Sequence, residues 1–283
     1  MKQLVMLALQ VSIVCTVFRF GLETAWSDLI YVMRQPGLLF RSLAAVFVVM
    51  PVLAVVCARL LDLPHAVEVV LVALAISPVP PLLPRKETEA GGHSSYGLGL
   101  MALMAVLAVG SVPLAAEFVG PVFDKTFAVP AAPIARIVLV AVVVPLAAGM
   151  LLRARWPTAA DRLGTPVRIG ANVLLALAII ALLVATLGAV WAAVGDGTVV
   201  AIVAFVVVGL LVGHLLGGPD PEHAVVLALS TACRHPGIAF AAASAVFPEE
   251  HFGGTMLLYV VVSTLVAIPY LAWRRKRVTV ASA

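Results

Sequence analysis

An arginine stands in the middle of an apolar stretch, AVVLALSTACRHPGIAFAAASAVFP, and it is the residue of this chain with the plainest capacity for chemistry. Arg234 at the centre of a membrane span would cost between about 2.5 and 17 kcal/mol, so it must face protein, water or a counter-ion. Three roles compete for it: ligand for an anionic substrate, tethered cation in place of a bound metal ion, or structural partner of a carboxylate. Ser230 lies one helical turn earlier and so on the same face, with Thr231 beside it. Pro236 and Gly237 interrupt the run and free a carbonyl near Ala232 from its helical partner. A planar carboxylate suits this set, because a guanidinium offers two parallel donors. His235 can take up a proton near neutral pH, which makes it the candidate for proton coupling; a histidine bonded to a helix carbonyl is the plainer alternative.

A second cluster, ALAISPVPPLLPRKE, places Pro78, Pro80, Pro81 and Pro84 within seven residues and Ser77 just before them. Each proline removes an amide donor and crowds the preceding turn, so regular helix is excluded there. No carboxylate falls inside an expected span; Glu87 and Glu89 come just after the cluster. A cation-coupled carrier normally needs such a ligand, so this counts against ordinary cation coupling. Cys15, Cys57 and Cys233 have no metal-ligand spacing and read as small core residues. No metal and no cofactor is expected. No nucleophile, base and oxyanion set appears, so the chain is not expected to be an enzyme.

The elements that must carry these residues follow from composition. Of 283 residues 63% are hydrophobic and 11% charged, against roughly 25% charged in a soluble domain. The apolar runs reach about 20 residues, enough to cross a hydrocarbon core of about 30 Å as helix. An all-α polytopic membrane protein of about nine transmembrane helices is expected, near 3–20, 37–60, 66–84, 94–118, 130–152, 166–193, 198–216, 221–247 and 253–273. The first of these lacks a small-x-small cleavage site and is kept as a helix rather than a signal peptide. The net charge of +4 comes from basic residues at segment ends rather than one patch, which excludes nucleic acid as a partner.

Those basic residues also assign sides. Arg274, Arg275, Lys276 and Arg277 place the C-terminus in the cytoplasm by the positive-inside rule, and nine spans then put the N-terminus outside. Thirteen basic residues fall on the inner side by this count, against Lys2, Arg59, Lys125 and Arg136 outside. The expected location is the inner (plasma) membrane, with the lipid bilayer as solvent. Residues 1–283 form one membrane domain, ending in a basic cytoplasmic tail, 274–283.

The two proline interruptions are five helices apart. Five is odd, so five-helix units carrying them in corresponding positions have opposite orientations, the inverted-repeat pattern of many secondary transporters. The repeats span approximately 1–125, lacking a first helix, and 126–273.

From FRFGLETAWSDLIYVMRQPGLLF through VVMPVLAVVCARLLDLP to STACRHPGIAFAAA, the chain resembles the bile acid:sodium symporter superfamily and its related bacterial anion carriers. The resemblance implies an inverted-repeat fold with two crossing discontinuous helices, segments three and eight. Segments one, five and six would form a panel, and the others a core. It also implies departures. Ser230 stands where the family has its sodium-binding glutamate, Arg234 at a glutamine and His235 at an asparagine. In the first repeat the family's ligands give way to Ser77, Pro78, Val79, Pro80 and Pro81, and sodium binding is not carried over.

The expectation is a secondary transporter of a small organic anion without the usual sodium coupling. Its expected substrate-binding residues are Arg234, Ser230, Thr231, His235, Ser77 and Pro78. The helix breaks are Pro78, Pro80, Pro81, Pro84, Pro236 and Gly237. One alternative is a sodium-coupled symporter using Ser230, Ser77, Ser94 and carbonyls; another is a membrane sensor or binding protein that does not transport.

Overall fold

The computed structural model of the chain describes residues 2–61, 63–123 and 129–281. Lys125 and the expected boundary between repeats, near 125, lie outside the described residues. Helices account for nearly all of the described chain, with no strand among the described residues. We number them α1 (Lys2–Glu23), α2 (Pro36–Leu60), α3 (His65–Ile76), α4 (Leu83–Glu89), α5 (Ser94–Val119), α6 (Ala131–Arg155), α7 (Pro157–Ala192), α8 (Thr198–Leu216), α9 (Pro221–Ala232), α10 (Pro236–Val246) and α11 (Gly253–Ala281).

Eight spans among the described residues are long and apolar enough to cross a membrane, counting α9 and α10 as one, and α3 is a shorter apolar helix. The third expected segment therefore ends at Ile76, eight residues early. It is followed by an irregular stretch and by α4, which restarts with Pro84 in its first turn. A proline there costs nothing, since first-turn amides have no helical acceptor. For the same reason Pro157 begins α7 nine residues before the expected start, and Pro166 is carried inside that helix. The basic residues 274–277 continue α11 as helix rather than forming a separate tail.

Outward-facing side chains of α7 are apolar along its length: Val173, Leu177, Ile180, Val184 and Leu187 are all exposed. Such a stripe has only lipid as a suitable solvent.

The helices form two groups. In the first, α1 packs against both α6 and α7. Close approach of α1 and α6 comes from Gly21 and Gly149, where a Cβ on either would overlap the other helix's backbone. In the second group, α8 lies along α9, α3 along α10, α4 along α5 and α9, and α11 along α8. Gly209 and Gly213 of α8, and Gly217 that caps its end, fall at four-residue intervals on one face. They meet Ala232, Ala228 and Ala224 of α9, also four apart, which leaves no room for a Cβ on the glycines. Small residues let dispersion and backbone contact act where water cannot drive association. This stripe fixes α9, and with it the second broken segment.

Candidate functional site

The two interruptions meet. The α3 helix stops at Ile76, and Ser77 turns extended ahead of Pro78, as the residue before a proline prefers. The α9 helix stops at Ala232, Cys233 is extended, and α10 begins at Pro236. The His235 amide donates to the Pro78 carbonyl at 2.9 Å and to Ser77 Oγ at 3.1 Å. Ser77 Oγ itself donates to the Leu74 carbonyl at 2.8 Å. Two discontinuous segments thus cross at a backbone hydrogen bond, with α3 beside α10 and α4 beside α9.

Arg234 occupies this crossing and is 1% exposed. Its Nε donates to the Leu74 carbonyl at 3.1 Å, while one terminal nitrogen reaches the carbonyls of Ala75 and, at 3.4 Å, Val46. Leu74 and Ala75 lie in the last turn of α3, where carbonyls have no helical donor and carry the negative end of the helix dipole. The guanidinium adds a charged donor to these groups, beside the Ser77 amide and hydroxyl that already bond the Leu74 carbonyl. Its other terminal nitrogen has no hydrogen-bond partner.

Tyr259 of α11 closes the opposite side. Its hydroxyl accepts from the Arg234 amide at 2.7 Å and donates to the Ala232 carbonyl at 3.1 Å, repairing the break in α9. The carbonyl that the sequence left free near Ala232 is therefore taken. A buried tyrosine hydroxyl in an apolar span must find such a partner, and that was the signal available for Tyr259.

The polar set expected on one helical face is divided. Because the helix ends at Ala232, the four-residue register from Ser230 to Arg234 does not hold. Ser230 Oγ turns instead to α4 and donates to Glu87 Oε1 at 2.7 Å. Thr231 Oγ1 donates back to the Leu227 carbonyl within its own helix. His235 Nδ1 accepts from the Ile238 amide at 3.2 Å and caps α10, so a proton placed on that nitrogen would break the cap. Pro78 contributes its carbonyl to the crossing, and Pro80 and Pro81 keep the connection to α4 irregular. Pro84 and Pro236 instead open helices, and Gly237 is a helical residue of α10.

Glu87 is 1% exposed, although the sequence put it just past the proline cluster and outside every expected span. The α4 helix turns Arg85, Thr88 and Glu89 outward and Glu87 inward. Those outward residues line a cleft of about 420 Å³ between α1 and α7 on one side and α4 and α5 on the other. Arg19, Arg85 and Arg168 all border it, with Glu23, Asp28 and Glu89. Arg85 is held by Glu89 at 2.8 Å and by the side chain of Asn172. Arg275 of α11 also pairs with Glu89, at 3.1 Å.

None of the curated proteins compared with the chain matches it. A sequence profile described as the Sodium Bile acid symporter family matches residues 10–201, well over half of the 283 residues. The match runs from α1 through the first broken segment and both walls of the cleft, and stops in the first turn of α8. Multiple apolar helices, two discontinuous segments meeting at their breaks and this match agree, and the chain belongs to the sodium bile acid symporter family, whose members are membrane transporters.

Proposed function

We propose that the protein is a secondary transporter of a small organic anion that operates without sodium, with Arg234 standing permanently in the place of a cation at the crossing. The observation that carries this is the guanidinium of Arg234 donating to the Leu74 and Ala75 carbonyls at the end of α3 and to the Val46 carbonyl of α2. Carbonyls at a half-helix C-terminus are the groups that coordinate coupling ions in transporters with broken helices. Here a covalently attached charge satisfies them. A sodium ion brought to the same carbonyls would meet a fixed like charge in a medium of low dielectric.

Ser77 and Ser230, the neutral oxygens a sodium site would draw on, are already engaged, one with Leu74 and His235, the other with Glu87. Buried as it is, Arg234 acts on the crossing rather than through an open cavity. The anion itself is met at the cleft beside α4, where Arg19, Arg85 and Arg168 supply positive charge within reach of water. In this reading the two crossing segments are corresponding parts of inverted repeats, and the arginine-rich end of the bundle is the cytoplasmic one of the inner membrane.

The test is uptake of a panel of radiolabelled small carboxylates and taurocholate by the purified protein in liposomes, with either sodium or potassium outside. Saturable uptake of the same size in both salts is expected. Uptake that requires sodium overturns the proposal.

A further inference from the structure

We propose that Glu87 is a proton-binding site of this protein, alternately sealed against α5 and α9 and opened to the cleft on the other face of α4. The protonation rests on geometry alone; its coupling to transport rests on the anion-carrier reading above.

Glu87 Oε1 accepts from Ser230, but Oε2 has no hydrogen-bond partner and no contact with solvent. Among the described residues, no basic side chain forms an ion pair with it. Arg234 is directed away, to the carbonyls of α3. Lys86 and Arg85 neighbour Glu87 on α4, and Arg85 faces Glu89 and Asn172. From α5 the titratable side chain facing Glu87 is Tyr96, whose hydroxyl is bonded to Ser42 at 2.8 Å, and from the end of α9 it is Cys233. Both residue types keep their protons at neutral pH. His93 and His223, near the same end, face Tyr31 rather than Glu87. An isolated ionised carboxylate sealed this way is too costly to persist, so Oε2 needs a positively charged occupant.

The space decides which occupant. Oε2 lies against Gly97 of α5 so closely that a Cβ there would overlap it. The oxygen fills the volume the missing side chain leaves, and a metal ion with its ligand shell has no room on that side. A proton needs none. The O–H bond at Oε2 forms with a proton taken from water at one side of the membrane and breaks when water on the other side reaches the group. Because Arg85, Thr88 and Glu89 line the cleft from the opposite face of the same short helix, a shift of α4 that opens Oε2 to water also alters the anion's surroundings.

The experiment is infrared difference spectroscopy on the full chain in liposomes, stepped from acid to alkaline pH. Wild type is expected to lose the carbonyl band of a protonated carboxyl group, and Glu87→Gln, which keeps shape and the Ser230 bond, to lack that band throughout. Ser230→Ala should shift the midpoint of the same band, reading Glu87 without replacing it. A wild-type band that Glu87→Gln and Ser230→Ala both leave untouched overturns the assignment. So does a band that disappears when sodium replaces potassium, which would put a metal cation on the same oxygen. Failure of the carrier reading looks different: no carboxylate in the uptake panel accumulates, while the band still titrates and still depends on Glu87.

Discussion

Arg234 is held by carbonyl acceptors, not by a counter-charge, and this sets what its removal does. Arg234→Ala strips the last-turn carbonyls of α3 of this cation, leaving Ala75 facing a cavity and Leu74 with its Ser77 donors alone. Each charge-assisted hydrogen bond lost in a buried site costs about 1.5–3 kcal/mol, so a large fall in the thermal unfolding midpoint in detergent is expected. Arg234→Lys should recover only part, since one ammonium cannot reproduce the spread of a guanidinium over Leu74, Ala75 and Val46. A second outcome separates the tethered-cation role from plain structural support. Once the charge is gone, sodium should raise the unfolding midpoint of Arg234→Ala and potassium should not, whereas wild type responds to neither. A variant indifferent to both salts would show that the carbonyls never formed a cation site.

The same residues show how far the sequence carries. Arg234 was visible because a charge in an apolar run has few explanations, and Pro236 because proline has one. Its partners were not, since the four-residue register that joined it to Ser230 assumes a helix that in fact ends at Ala232. Glu87 was hidden for a related reason. A run reading PRKETE looks solvated, and only the fold shows that α4 buries one residue of that run against Ser230 and Gly97.

At the scale of elements, glycine has two meanings in this chain, and they predict opposite outcomes. Gly213 lies where α8 touches the backbone of α9 at Leu227 and Ala228. Gly213→Leu must therefore part the two helices, at a cost of about 1–3 kcal/mol or more for overpacking, read as a lower melting temperature and loss of monodisperse protein. Gly237 looks like a helix breaker beside Pro236, yet it is an ordinary helical residue of α10, where an added Cβ would meet only the ring of His235, at 3.2 Å. Gly237→Ala should change the midpoint by no more than the equivalent of about 1 kcal/mol, the helix preference of alanine offsetting a small shift of that ring. Segment existence was legible for every span because apolar length and turn residues determine it. The register of α8 on α9 was not, since glycines spaced by four mean packing only when the partner's alanines are known to face them.

At the scale of the whole molecule, the division of the bundle is the feature that would support transport. The α1, α6 and α7 group meets the rest across a cleft bordered by Arg168 and Arg19 on one wall and Arg85 and Glu89 on the other. Arg168 is exposed and, unlike Arg85, is not held by a carboxylate on its own helix. Arg168→Ala is therefore expected to weaken anion uptake by raising KM with little change in stability, because an exposed arginine contributes less than about 1 kcal/mol to folding. If the two groups move against each other during transport, a covalent bridge across the cleft must stop it. Replacing Arg168 and Glu89 by cysteine in a chain lacking Cys15, Cys57 and Cys233, then adding a short bifunctional maleimide, should abolish net uptake. Each single-cysteine chain given the same reagent should retain uptake at saturating anion. Full uptake by the bridged protein would mean that the anion passes without relative motion of the two helix groups, and the cleft would then be a surface feature rather than one end of the path.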